Sequence, residues 1–314
     1  MKTTLNPLED QSLNTQAAAA AHDDRVCEDR YATVSHAGKQ YAMRYRLCGV
    51  TAALPTFVLE SGGGGMLCDS WALIESKLAA HGRVFNYDRA GIGLSAGSVV
   101  GVGAADVSER LASLLEIAGE QGPYILVGYS LGGLYARYFA ATRPDRVVGL
   151  VLVDPTPDSI KILPKALLLV IALVSWGLHL LIRLKVLALV ARIRRLFSGG
   201  PHKVDDPVYA PFGKYRHVKT SLSELKSLGQ IQSSVLRHAP AVGLPILCVS
   251  AGVRPNKFAK SELQHYQQLA DGGLQPHSQH YSMDGATHAT LVINPEYAGK
   301  LSDMILAFSK ALSR

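Results

Sequence analysis

Cysteine is scarce in this chain: Cys27, Cys48, Cys68 and Cys248 are the four in 314 residues, with no CxxC pair and no histidine at metal-ligand spacing. That excludes zinc-ribbon and thioredoxin-like motifs. The four are expected to be reduced thiols packed as small hydrophobes, and Cys68 has no basic neighbour that would activate it. The opening stretch MKTTLNPLEDQSLNTQAAAAAHDDR lacks a continuous apolar segment and carries acids early, so no signal peptide is read there. The expectation is a poorly ordered arm over residues 1–28 on a cytoplasmic protein. Internal repeats are absent, and so is any nucleic-acid motif beneath the net charge of +7. The basic excess falls largely between Arg183 and Lys219, beside an apolar run, which points to an anionic lipid surface rather than to nucleic acid.

What is present is an alternation. YATVSHAGKQYAMRYRL reads as a hairpin around Gly38-Lys39. TFVLES, RVFNYD, PYILVGYS, RVVGLVLVDP, LPILCVSAG and QHYSMDG read as strands, several of them nearly continuous apolar runs. Helical patterns separate them: DSWALIESKLAAHG, the stretch from Ala104 to Gly119 with Val107, Leu111, Leu114 and Leu115 at 3.6-residue spacing, LGGLYARYFAATRP, Lys260 to Ala270, and PEYAGKLSDMILAFSKAL. Apolar strands alternating with helices imply a parallel sheet covered on both faces.

Gly128-Tyr129-Ser130-Leu131-Gly132 fits G-x-S-x-G, with a strand before it and a helix after it. The glycines permit a tight turn that holds the Ser130 hydroxyl out from the sheet edge at a helix N-terminus. A serine hydroxyl needs an adjacent base. His288, in the short loop between the last strand and the last helix, is the candidate, since serine, acid and histidine then follow in the chain order of one hydrolase architecture. Acyl transfer further needs N–H donors for an oxyanion: the amide of Leu131, and one from the glycine run SGGGG after an earlier strand, Gly63 first and Gly64 next. No GK[ST] follows that run, which disfavours a phosphate cradle, and Gly91-Ile92-Gly93 opens no helix, which disfavours a dinucleotide site.

With LESGGGG, NYDRAGIGLS, LVGYSLGGLYARYFA, RVVGLVLVDP and GATHATL, the sequence resembles the α/β-hydrolase superfamily over about residues 30 to 154 and 240 to 314. The resemblance implies a three-layer, doubly wound, mostly parallel eight-stranded sheet, a Ser-His-acid triad and no cofactor. Serine at the elbow argues against the related epoxide hydrolases and haloalkane dehalogenases, which carry aspartate there. Many members place the acid after the strand PILCVS, but that loop here reads AGVRPNKFAK. Others take it from the end of the preceding strand, where LVLVDP puts Asp154; Asp158, Glu262 and Asp284 are the alternatives. Asp88 and Arg89 read as a charge pair or turn anchor holding the loop beside the site.

The domain division is then 29–154 and 240–314 as the hydrolase core, with 155–239 inserted as a helical cap. Within the cap, residues 162–197 are apolar with interspersed basic residues. One membrane pass there would put the catalytic strands on opposite sides of a bilayer. The cap is therefore expected to shape an acyl pocket and to touch a membrane surface, which co-flotation with anionic liposomes tests; the alternative buries it against the core or a dimer partner. The expected activity is hydrolysis of a small-molecule carboxylic ester with an apolar acyl or alkyl part. Amide or thioester cleavage, acyl transfer, or a non-catalytic pocket on the same fold are the competing readings.

Overall fold

The computed structural model describes residues 27–50, 54–96, 101–158, 177, 215–238, 244–254 and 259–313. Strands β1 (Asp29–His36) and β2 (Lys39–Cys48) form the expected hairpin, closed one residue earlier than Gly38-Lys39, by Ala37 at φ 48° and Gly38 at φ 70°. Positive φ at both central residues is the two-residue turn whose twist matches that of the strands. The turn sets the ladder from His36↔Lys39 to Asp29↔Arg46, and continuing that ladder two places brings Cys27 opposite Cys48. These two are joined in a disulfide, with Cα atoms 4.9 Å apart, so the expectation of four reduced thiols is corrected here. Antiparallel pairing of segments 21 residues apart, not local spacing, makes the bridge. Cys68 and Cys248 are free and buried, as expected, and burial pushes both thiols well above their ordinary pKa.

The remaining strands are β3 (Thr56–Glu60), β4 (Val84–Tyr87), β5 (Tyr124–Tyr129), β6 (Val147–Val153), β7 (Ile246–Ala251) and β8 (Gln279–Met283). They complete an eight-stranded sheet in the order β1-β2-β4-β3-β5-β6-β7-β8, antiparallel at β1/β2 and β2/β4 and parallel elsewhere. The apolar strands alternate faces residue by residue, as the pleat requires. Leu126, Leu150 and Leu152 enter one core layer, whereas Ile125, Val127, Val151 and Val153 enter the other. Both faces are therefore covered, which is why these runs carry almost no polar residue.

Helices α1 (Ala72–Ala79) and α8 (Pro295–Leu312) lie on one face; α2 (Ala104–Ile117), α3 (Leu131–Thr142) and α6 (Ala259–Asp271) lie on the other. Val107, Leu111, Leu114 and Leu115 of α2 are all buried, as their spacing requires. The closing helix starts where Asn294 Oδ1 accepts the N–H groups of Glu296 and Tyr297 at 3.0 and 3.3 Å, with Pro295 in the first turn. That pairs a side-chain cap with a residue that gives up no needed donor.

Between residues 155 and 239, helices α4 (Tyr215–Lys226) and α5 (Leu228–Arg237) are described. Leu228, Ile231 and Val235 of α5 pack on Leu134, Tyr135 and Tyr138 of α3. A four-residue helix, α7 (Thr290–Ile293), precedes α8. The arm over residues 1–26 and the apolar stretch 162–197, Gly177 excepted, lie outside the described residues. Among the described residues, no helix is long and apolar enough to cross a membrane.

Candidate active site

Strand β5 delivers its last residue, Tyr129, straight into Ser130, which caps α3 at φ 53° and ψ −120°. A left-handed φ at a non-glycine residue is strained, and it persists only where neighbours hold it. Here Ser130 N–H donates to Val153 O at 3.0 Å, and Ser130 O accepts from Gly133 N at 3.0 Å and Thr156 N at 2.9 Å. The flanking glycines are required by close approach. A Cβ on Gly128 would stand 2.6 Å from Gly132 O, and one on Gly132 would stand 2.2 Å from Glu60 O. The helix therefore packs against two strand ends with no room for a methyl group, and the serine hydroxyl is left projecting.

The structure brings Ser130, His288 and Asp154 together. His288 Nε2 lies 3.2 Å from Ser130 Oγ, and its Nδ1 lies 2.6 Å from Asp154 Oδ2. With an ionised carboxylate on Nδ1, that nitrogen carries the proton, and the Nε2 lone pair faces the serine hydroxyl. Asp154, just past β6, also has positive φ, 42°, and is buried. Its other oxygen, Oδ1, accepts from Ala251 N at 3.1 Å and from Arg254 Nη2.

The three alternative acids are placed elsewhere. Asp158 pairs with Arg137 and lies 3.4 Å from His265; Glu262 takes Arg254 Nη1 at 2.6 Å; Asp284 is exposed.

Two contributors were not anticipated. Tyr129 stacks its ring on His288 at 4.8 Å between centroids and donates its hydroxyl to His288 O at 2.9 Å, fixing the loop from beneath. Its position inside G-x-S-x-G was the available signal. Arg254 sits in the loop after β7, and it bridges Asp154 and Glu262 while packing over the Tyr266 ring. Burial, and after it the Arg254 charge, hold the His288 imidazole below its ordinary pKa, with Glu262 pulling the other way. A base kept neutral near pH 7 is what proton abstraction needs.

The glycine run follows β3 and lies against the elbow: a Cβ on Gly63 would stand 2.9 Å from Leu131 Cδ2. Gly62 N–H is turned to Met66 Sδ at 3.3 Å, and Gly64 and Gly65 make the turn at φ 71° and 88°. Asp88 is a turn anchor, accepting Cys68 N at 2.9 Å and Leu94 N at 3.0 Å. Arg89 ties the base of the glycine loop by donating to Glu60 Oε1, Ser61 O and Gly62 O.

A cavity of about 430 Å³ opens beside the triad, lined by Ser130 and His288 together with Pro155, Val253, Tyr266 and Ala289. Among the described residues, the one group able to gather metal-ligand atoms is Cys27, Cys48 and Glu75, and its two sulfurs are already joined to each other.

The sequence model of the Alpha/beta hydrolase family matches residues 57–298, and the chain belongs to that family. A pimeloyl-(acyl-carrier protein) methyl ester esterase of Aliivibrio salmonicida is 40% identical over 95 residues, which is 30% of this chain and 34% of that protein. The match thus spans about a third of that esterase's length. An esterase from Thermogutta terrifontis superposes with a TM-score of 0.65 at 18% identity, covering 91% of this chain and 100% of its own. An epoxide hydrolase from Vigna radiata does so with a TM-score of 0.64 at 17% identity, covering 90% and 99%. At such identities the likeness carries the fold alone.

Proposed function

We propose that this chain is a serine hydrolase of carboxylic esters bearing an apolar acyl or alkyl part. The observation that carries the reading is the unbroken line from Ser130 Oγ through the His288 imidazole to the buried Asp154 carboxylate. Ser130 O–H gives its proton to His288 Nε2 as Oγ attacks the ester carbonyl. Asp154 holds the imidazole in the correct tautomer and stabilises its protonated form. The N–H groups of Gly63 and Leu131 hold the oxyanion of the tetrahedral intermediate. The intermediate collapses as His288 passes its proton to the departing alcohol, leaving an acyl group on Ser130. Water, deprotonated by the same imidazole, then releases the acid.

Esters are favoured over epoxides and haloalkanes because those chemistries use a carboxylate at the elbow and this elbow bears a hydroxyl. The apolar walls of the cavity favour a hydrocarbon part. A fluorophosphonate probe tests the reading: it should label the protein covalently, and Ser130→Ala should abolish both labelling and turnover of p-nitrophenyl esters. A wild-type protein that resists the probe and turns over no ester would instead be a binding protein on this fold.

A further inference from the structure

Helix α4 has an unusual face. His217, Thr220, Ser221 and Glu224 recur at the spacing that makes one helical stripe, and all four are buried, with His217, Thr220 and Glu224 at 1% exposure. Such a stripe is normally apolar. Burying polar groups and a carboxylate costs stability unless each is paired, and an apolar stripe would hold the helix as well. What these side chains touch gives the reason. Gly65 of the glycine loop closes on His217 and Ser221: a Cβ there would stand 2.4 Å from His217 Nε2. Gly93 N–H donates to His217 Nδ1 at 3.0 Å, and a Cβ on Gly91 would stand 2.4 Å from Thr220 Oγ1.

Glu224 grips Arg89 with both oxygens, from Nε at 2.8 Å and Nη2 at 3.3 Å. Arg89 spends its other donors on Glu60 Oε1 at 2.7 Å, Ser61 O at 2.5 Å and Gly62 O at 2.7 Å. All five guanidinium N–H groups are thereby used, in a fork whose plane leaves them no freedom. In a trans peptide the C=O and the following N–H point in opposite directions. With Gly62 O drawn to Arg89, the N–H of Gly63 faces away from that guanidinium, while the Cα of Gly63 lies against the Leu131 side chain.

From this geometry we propose that Arg89 and Glu224 are positioning residues for the oxyanion site, and that α4 is a clamp making the aim of the Gly63 amide depend on the seated insertion. The proposal rests on the serine-hydrolase reading above. The insertion then acts on the chemical step as well as on substrate fit. An acyl-pocket residue would change selectivity among chain lengths; a clamp on the oxyanion donor lowers turnover of every ester by one factor.

The test compares wild type with Glu224→Gln, Glu224→Ala and Arg89→Lys on p-nitrophenyl acetate and octanoate, with inhibition by a trifluoromethyl ketone as second readout. That inhibitor forms a charged hemiketal on the serine and needs the same donors. The expected result is a kcat loss of about tenfold or more, since losing an oxyanion donor outright costs ~100- to 1000-fold. KM should stay within about threefold, the factor should be equal for both esters, and inhibitor affinity should fall in parallel. Glu224→Gln keeps shape and an acceptor, so it carries the comparison if Glu224→Ala fails to fold. Unchanged kcat, a loss confined to octanoate, or unchanged inhibitor affinity would each overturn the clamp. Ser130→Ala measured alongside separates the two ideas: turnover surviving there removes the serine reading, whereas turnover lost there but intact in Glu224→Gln removes the clamp alone.

Discussion

Among the described residues, three that are not glycine hold positive φ: Ala37 in the hairpin turn, and Ser130 and Asp154 at the carboxyl edge of the sheet. The hairpin and the edge both use a positive φ, for different ends. In the hairpin, the left-handed pair Ala37-Gly38 sets a register, and the register sets the disulfide. At the edge, the left-handed residues are themselves the chemical groups, each held by hydrogen bonds from a neighbouring strand: Ser130 N–H to Val153 O, and Asp154 N–H to Val249 O at 2.7 Å. Strain in a turn is a local price of connectivity; strain at the edge orients a hydroxyl and a carboxylate toward one imidazole.

The comparison can be broken from either side. Asp154→Asn should keep the fold and lose about four orders of magnitude in kcat, because an amide can turn its N–H toward Nδ1 and enforce the wrong tautomer. Steady-state turnover near the wild-type rate would remove Asp154 from the triad. On the hairpin side, Cys27→Ser with Cys48→Ser should lower stability by about 3 kcal/mol and leave kcat intact. Denaturation with and without reductant reads this; identical transitions would mean that the bridge does not constrain the chain. Such a bridge persists in oxidising compartments, so thiol alkylation of freshly lysed cells also tests the expected cytoplasmic location, where the pair should be found reduced.

A smaller effect belongs to Arg254. Burial and then the Arg254 charge depress the His288 pKa, and catalysis needs neutral imidazole, so kcat/KM climbs as pH rises through that pKa. Removing the cation raises the pKa. Arg254→Gln should therefore move the acidic limb of the kcat/KM profile to higher pH, with activity lost at low pH and recovered on the plateau. A limb that stays in place would confine Arg254 to a structural role. Smallest of all, Ala37→Gly and Ser130→Gly should each stabilise the fold by about 0.5 kcal/mol through relief of the left-handed conformation, partly offset by a freer unfolded chain. Only the second should abolish activity, and chemical denaturation beside an ester assay checks both.

Much of this was legible locally. The elbow is five consecutive residues whose glycines admit a single packing, and His288 follows from its place between the last strand and helix. The loop after β7 carries no acid before Glu262, which leaves Asp154 at the end of the preceding strand. The disulfide was not legible from the expected turn: a hairpin turning at Gly38-Lys39 would set Cys27 opposite Val50, and the turn one residue earlier, at Ala37-Gly38, is what pairs it with Cys48. Arg254 was not legible, because its partner Asp154 lies 100 positions away in the chain. The polar stripe of α4 alternates like any exposed helical face, and nothing in its pattern marks it as buried.

The order of strands and helices, the strained serine and the identity of the histidine beside it were determined by sequence, because each depends on periodicity, glycine placement and chain order within a few residues. The partners of the buried charges were decided only by tertiary structure. Arg89 meets Glu224 across 135 positions and Arg254 meets Asp154 across 100, and a charged side chain carries no local mark of which opposite charge will be folded against it.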